Sequence, residues 1–273
     1  MFLSTFWSTV GMDEHPGDYF FNIPHLIYIL INIAAFIGLW YLLKRMKKEN
    51  QDKLISVFLI IILVLKYAGD ILFIYEYYNV SPPLSNYPHP FLDVDTLISF
   101  QLCGIVNILL PITIWFKIKP LKEFVFLSGI LGGIAVMVYP VTILYGHPFV
   151  ITLPMIRSTV VHFFLVFIPL YLINRGDVKL NPKNWKQIAI GFASLVVWAT
   201  FGNYVIDKGD NNLYLEFNPF LDTEIPLLNQ IPNGWHIIAI IIIFGGGYFL
   251  TYRVAKLFEP NYFSNFIRKR KKA

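Results

Sequence analysis

The chain has one cysteine, Cys103, and that alone excludes an intramolecular disulfide and a cysteine-cluster metal site. Charge is scarce as well: Asp, Glu, Lys and Arg make up 14 % of 273 residues, against 56 % hydrophobic residues. So little polar surface cannot cover the apolar surface of a water-soluble domain. Before the first apolar run, Met1 to Asp18 contains no Lys or Arg but does contain Asp13, Glu14 and Asp18, so it lacks the basic start of a cleaved signal peptide. No His-x-x-x-His pair or other metal spacing occurs, and no pattern implies a cofactor. Internal repeats are missing too, which weighs against an inverted-repeat transporter.

The chain does contain seven apolar runs of membrane-spanning length. They are Ile23–Leu43, Leu54–Tyr75, Leu97–Phe116, Leu121–Tyr139, Ile151–Ile173, Ile188–Val205 and His236–Val254. The expected fold is all-α, a polytopic bundle of about seven transmembrane helices forming one domain over residues 1–273. Basic residues follow spans one, three and five (Lys44 to Lys53, Lys117 to Lys122, Arg175 to Lys186), and another cluster, Arg268 to Lys272, closes the chain. The alternate segments are acidic or neutral, with Lys208 their only basic residue. The positive-inside rule then places the N-terminus outside and the C-terminus in the cytoplasm of a multi-pass cell-membrane protein. This distribution accounts for the net charge of +5 without nucleic acid. The tail, residues 258–273, mixes aromatics with basic residues and is expected to lie on the anionic inner leaflet. The long outer connections, 75–95 and 206–235, have the length of lids or binding loops. Glycines at 129, 133 and 245 to 247 read as close helix approaches.

Polar residues inside the spans are costly and therefore informative. Span three opens with Ser99-Phe100-Gln101-Leu102-Cys103-Gly104-Ile105-Val106-Asn107. If that span is helical from Leu97, Cys103 lies about 9 Å below its outer end; the same arithmetic puts His162 of span five about 16 Å down. Cys103 with Asn107, Ser158 with His162, and Lys66 with Asp70 are each four residues apart and share a helix face. Arg157, with Ser158 and Thr159 beside it, and Asn203 of span six complete a polar layer in the outer half, which suggests a cavity opening to the outer leaflet. Each residue also has a plainer reading. Cys103 can be a small apolar packing residue, His162 with Ser158 an interhelical strut, and Lys66 with Asp70 a structural ion pair. Asn107 and Asn203 can bond across helices, and Arg157 can snorkel to the interface. His15, His25, His89, His147 and His236 fall at or beyond the outer surface.

Phe100-Gln101-Leu102-Cys103, Val161-His162-Phe163-Phe164 and Gly202-Asn203-Tyr204, in this order, resemble the YwaF-type bacterial membrane proteins. These are relatives of the transmembrane protein 164 acyltransferases and, more distantly, of the androgen-induced hydrolases of fatty-acid esters. Bacterial members often carry histidine where this chain has Gln101. The resemblance implies acyl transfer between lipids. Cys103 would form a thioester with His162 as base, Asn203, Asn107, Gln101 and Ser158 would stabilise the oxyanion or support the site, and Arg157 would hold the head group. A phospholipid would be the donor, and a lysolipid or a lipoprotein amine the acceptor; water as acceptor would make the same site a hydrolase. A seven-helix transporter or receptor using Lys66 and Asp70 is the alternative, although span seven lacks the mid-membrane lysine of a retinal protein. A lipid-binding scaffold is a third. Substitution separates them: acyl transfer predicts loss of activity with Cys103→Ala and tolerance at Lys66 and Asp70. Transport predicts the reverse order, and a scaffold predicts that no single polar change abolishes function.

Overall fold

The structure is a computed structural model that describes residues 6–7, 21–79, 98–140, 143–144, 150–206, 211–221, 227–260 and 262, without the side chains at 70, 73, 75, 76 and 79. Seven α-helices carry the seven predicted spans: α1 (Ile23–Lys44), α2 (Lys48–Asn79), α3 (Leu102–Trp115), α4 (Lys119–Val138), α5 (Leu153–Arg175), α6 (Trp185–Phe201) and α7 (His236–Leu257). Helices α1, α4, α5, α7 and the stretch containing α6 are each long and apolar enough to cross a bilayer. The chain is a multi-pass membrane protein. No strand occurs among the described residues.

Helix α3 departs from expectation. It begins at Leu102 and runs 14 residues, about 21 Å, short of a hydrocarbon core of about 30 Å. Ser99 to Gln101, expected to be helical, are not. Cys103 thus lies in the first turn of α3, and the depth calculated for a helix starting at Leu97 does not apply. At its other end α6 passes into a π-helical turn, Gly202–Ile206.

Helix α4 is the centre of the bundle. It packs on α3, α5, α6 and α7, most extensively on α5, and is buried continuously from Glu123 to Ile130 and again at Gly132 and Gly133. Glycine makes this possible. A Cβ at Gly129 would fall 2.9 Å from the Leu165 carbonyl oxygen, and one at Gly133 would fall 2.7 Å from the His162 oxygen and 2.6 Å from Val166 Cγ2. The backbones of α4 and α5 approach more closely there than any side chain would permit. The expectation for Gly129 and Gly133 holds. In α7 only Gly247 packs closely, against Leu131; at Gly245 and Gly246 a side chain would meet open space.

At the end carrying the basic loops, polar bonds tie the elements together. Buried Glu123 accepts from Asn184 Nδ2 (2.6 Å) and from the Asn181 amide (3.2 Å). Lys256 donates to the Leu180 carbonyl (2.6 Å), and Glu259 accepts from the Leu180 amide (2.7 Å). Arg175 bridges Asp52 (2.7 Å) and Asp177. Glu123, which no motif or spacing singles out, thereby anchors the α5–α6 connection to α4.

Gly133→Ala should lower unfolding stability by about 1–3 kcal/mol through overpacking against α5. Gly245→Ala, with open space beside it, should be neutral or stabilising by up to about 1 kcal/mol. Thermal unfolding of both variants in detergent reads the difference; equal effects would contradict the assigned seam.

Candidate functional site

The turn before Cys103 is fixed from outside α3. Phe100 is 1 % exposed, stacks on Trp198 of α6 (centroids 4.9 Å apart) and fills the space where Gly202 has no side chain. Trp198 Nε1 donates to the Ser99 carbonyl (3.3 Å), and Ser99 Oγ accepts from the Gln101 amide (3.3 Å). With the chain held at these points, Gln101 caps α3 and Cys103 turns toward α4. Its sulfur lies where a Cβ on Gly132 would come within 2.8 Å. The thiol is free and makes no hydrogen bond among the described residues. The unpaired N–H groups of α3's first turn place positive partial charge beside it.

A segment of the α6–α7 connection covers this turn. Asn203, at 2 % exposure, accepts from the Asn212 amide (2.8 Å) and donates to the Asn212 carbonyl (3.3 Å). Gln101 Oε1 accepts from the Leu213 amide (3.2 Å), and His236 Nε2 donates to the Tyr214 carbonyl (3.0 Å). Pinned at three successive residues, the chain adopts left-handed backbone at Leu213 (φ 53°) and Tyr214 (φ 57°). Such geometry costs on the order of 1–3 kcal/mol per non-glycine residue and persists only where surrounding contacts enforce it. Leu213 is buried beneath the segment. Desolvation, and after it the neighbouring Cys103, pushes the Tyr214 phenol above its ordinary range. Asn218 holds the segment's far side, donating to the carbonyls of Leu228 (2.7 Å) and Ile231 (2.8 Å).

His162 meets α4 one residue further along. Its carbonyl oxygen packs on Gly133, adjacent to the Gly132 that receives the Cys103 sulfur. The imidazole folds along α5: Nδ1 donates to the Ser158 carbonyl (2.7 Å) and lies 3.2 Å from Ser158 Oγ. That bond fixes the tautomer with hydrogen on Nδ1 and leaves the Nε2 lone pair available. No hydrogen bond joins His162 to Cys103 in this structure.

Among the remaining candidates, Asn107 is 8 % exposed and its Oδ1 has no hydrogen-bond partner. Arg157 lays its guanidinium over Gly69 of α2, in space a Cβ would need, and its charge acts on His162. Lys66 Nζ sits over the Tyr67 ring, 4.2 Å from its centroid; the side chain of its expected partner Asp70 lies outside the described residues. Two histidines expected at or beyond the outer surface stand in the first turns of their helices and are buried there as struts. His25 is fully buried, accepts from the Phe21 amide (2.9 Å) and donates to the Met137 carbonyl (2.9 Å); His236 is 1 % exposed. Both begin helices, so their depth in the sequence read as interfacial although each bridges two elements. His15, His89 and His147 lie outside the described residues. Phe100, Gly132, Tyr214 and His236 complete the surroundings of Cys103. Their only signals in the sequence were aromatic or small residues that packing alone would explain.

The model of the TMEM164 family matches residues 20–263 of this chain. No curated protein and no solved structure matches it.

Asn203→Ala removes both bonds to Asn212, a loss of about 1.4 kcal/mol and hence about a tenfold larger open population of the covering segment. Cys103, the sole thiol, should then react about tenfold faster with a maleimide. An unchanged rate would show that the segment does not control access to the sulfur.

Proposed function

Because the chain belongs to the TMEM164 family, we propose that it is a lipid acyltransferase of the cell membrane, working through a thioester on Cys103 with His162 as its base. The observation that carries this reading is the paired approach to α4. The Cys103 sulfur and the His162 backbone lie against the consecutive residues Gly132 and Gly133, and His162 is anchored through Nδ1 so that Nε2 is the free nitrogen.

In this mechanism Nε2 takes the thiol proton and Sγ attacks the ester carbonyl of a phospholipid drawn from the outer leaflet. Collapse of the tetrahedral intermediate breaks the ester C–O bond, and the leaving alkoxide takes the proton back from His162 and departs as a lysolipid. An acceptor hydroxyl of another lysolipid, or a lipoprotein amine, then gives its proton to Nε2 and attacks the thioester. The C–S bond breaks, and Sγ recovers its proton. Asn107 is the oxyanion donor of choice. It is buried without a partner for its oxygen, shares a helix face with Cys103, and its amide can present nitrogen to the developing charge. Asn203 and Gln101 support the site by holding the covering segment, where their polar atoms are already engaged. Ser158 orients the imidazole. Arg157 supplies positive charge for the head-group phosphate. The apolar cover of Phe100 and Leu213 limits water at the thioester and favours transfer over hydrolysis. In this reading the basic tail, whose residues 263–273 lie outside the described residues, holds the opposite, cytoplasmic end on the anionic inner leaflet.

Reconstituted in vesicles with a phospholipid carrying an isotope-labelled acyl chain and an unlabelled lysolipid, the protein should move the label. Cys103→Ala should abolish transfer, and His162→Ala should reduce it about 10²- to 10⁴-fold. Lys66→Gln should leave it near wild type. Full transfer by Cys103→Ala would end this reading.

A further inference from the structure

Helices α6 and α7 meet at an aromatic cluster, in which Phe192 lies 5.5 Å from Phe244 and 5.8 Å from Tyr248 by ring centroids. Around it, with Leu127 of α4 as floor, they leave a crevice of about 740 Å³, the size of a pocket for a small ligand. Its α7 wall runs from Ile241 to Lys256 at the three- and four-residue spacing of a single helix stripe. That stripe is about 22 Å long.

The lining is graded. From Ile241 to Phe249 it is apolar apart from Tyr248, whose hydroxyl is taken by Ser128. At the other end come Trp185 and Tyr252, then Arg253 and Lys256; no carboxylate among the described residues lines the crevice. Lys256 is held by the Leu180 carbonyl and Glu259. Arg253 is different: its guanidinium lies over the Phe249 ring, 5.0 Å from the centroid, and has no anionic partner among the described residues. Counted from His236, Arg253 lies about 26 Å along α7, close to the far boundary of a hydrocarbon core of about 30 Å. A cation at phosphate depth with no anionic partner among the described residues, above an apolar channel of acyl-chain length, matches the order of groups in a phospholipid: anion first, hydrocarbon beneath. The charge rule places this end at the inner leaflet, where anionic lipids are found.

We propose that the crevice between α4, α6 and α7 binds one anionic phospholipid of the inner leaflet, with Arg253 on its phosphate and an acyl chain filling the gap between α6 and α7. Cys103 does not line this crevice, and the proposal does not depend on the acyl-transfer reading. The lipid completes the packing of the two helices around their aromatic cluster.

Native mass spectrometry of the full chain, delipidated and then given phosphatidylglycerol or phosphatidylcholine with identical acyl chains, tests this directly. Wild type should retain one phosphatidylglycerol about tenfold better than phosphatidylcholine, and glycerol phosphate should not compete. Arg253→Gln should bind both lipids equally. Gly245→Phe places a ring in the crevice from a position with open space for its Cβ, so it should fold and bind neither. Equal binding of the two lipids by wild type, or undiminished phosphatidylglycerol binding by both variants, would overturn the proposal. So would a dimer in the spectrum that Gly245→Phe abolishes, since the occupant would then be a second copy of the chain.

Discussion

The structure depends on the bare face of α4. Gly129 and Gly133 let α5 settle backbone against backbone, and Gly132 makes room for the Cys103 sulfur from α3. In a bilayer the lipid is as apolar as the side chains, so helices associate through close packing and hydrogen bonds rather than through hydrophobic burial. Contact of this closeness is therefore a principal cohesive force of the bundle, and it also brings Cys103 and His162 to neighbouring residues of the same helix. Stability and the geometry of the candidate site have one source.

Polar groups show the same economy. Every broken or capped element must satisfy its backbone within the protein, because hydrocarbon offers no partner. At the end carrying Cys103, Ser99, Gln101, Asn203 and His236 do this for the unwound start of α3 and for the segment 212–214. Glu123, Lys256 and Glu259 do it at the opposite end. Several buried side-chain atoms among the described residues still lack a partner, and one of them, the Asn107 amide oxygen, lies on the helix face that Asn107 shares with Cys103. Arg253, set over a phenyl ring, has no anionic partner among the described residues.

The helices were legible because a spanning segment must be long, apolar and nearly free of charge, and those properties belong to single stretches of chain. The Gly129–Gly133 seam was legible for the same reason: small residues one helical turn apart mark a face. The roles of Gln101 and Asn203 were not. Each read as a lone polar group inside a span, while its partner lies in the connection after α6, at Leu213 and Asn212. The start of α3 was also misread, because hydropathy alone carries Ser99 and Phe100 into the span. What unwinds them is tertiary, namely the stacking of Phe100 on Trp198 and the bond from that indole to Ser99. For His25 and His236 the sequence showed a depth but not a partner, because nothing local distinguishes a histidine that meets a carbonyl across the bundle from one that meets water. Cys103 and His162 were visible as candidates, but the sequence could not tell that they would meet the same helix at adjacent residues, nor that Ser158 would hold the imidazole by Nδ1.

The central claim is that Cys103 carries the acyl group. Intact-protein mass spectrometry after incubation with phospholipid tests it most directly, since the only thiol in the chain admits a single thioester. The account predicts a fatty-acyl mass increment on the wild type that hydroxylamine removes and that both Cys103→Ala and His162→Ala lack. An increment that survives in Cys103→Ala, or none on the wild type under conditions where labelled acyl chains are transferred, would contradict it.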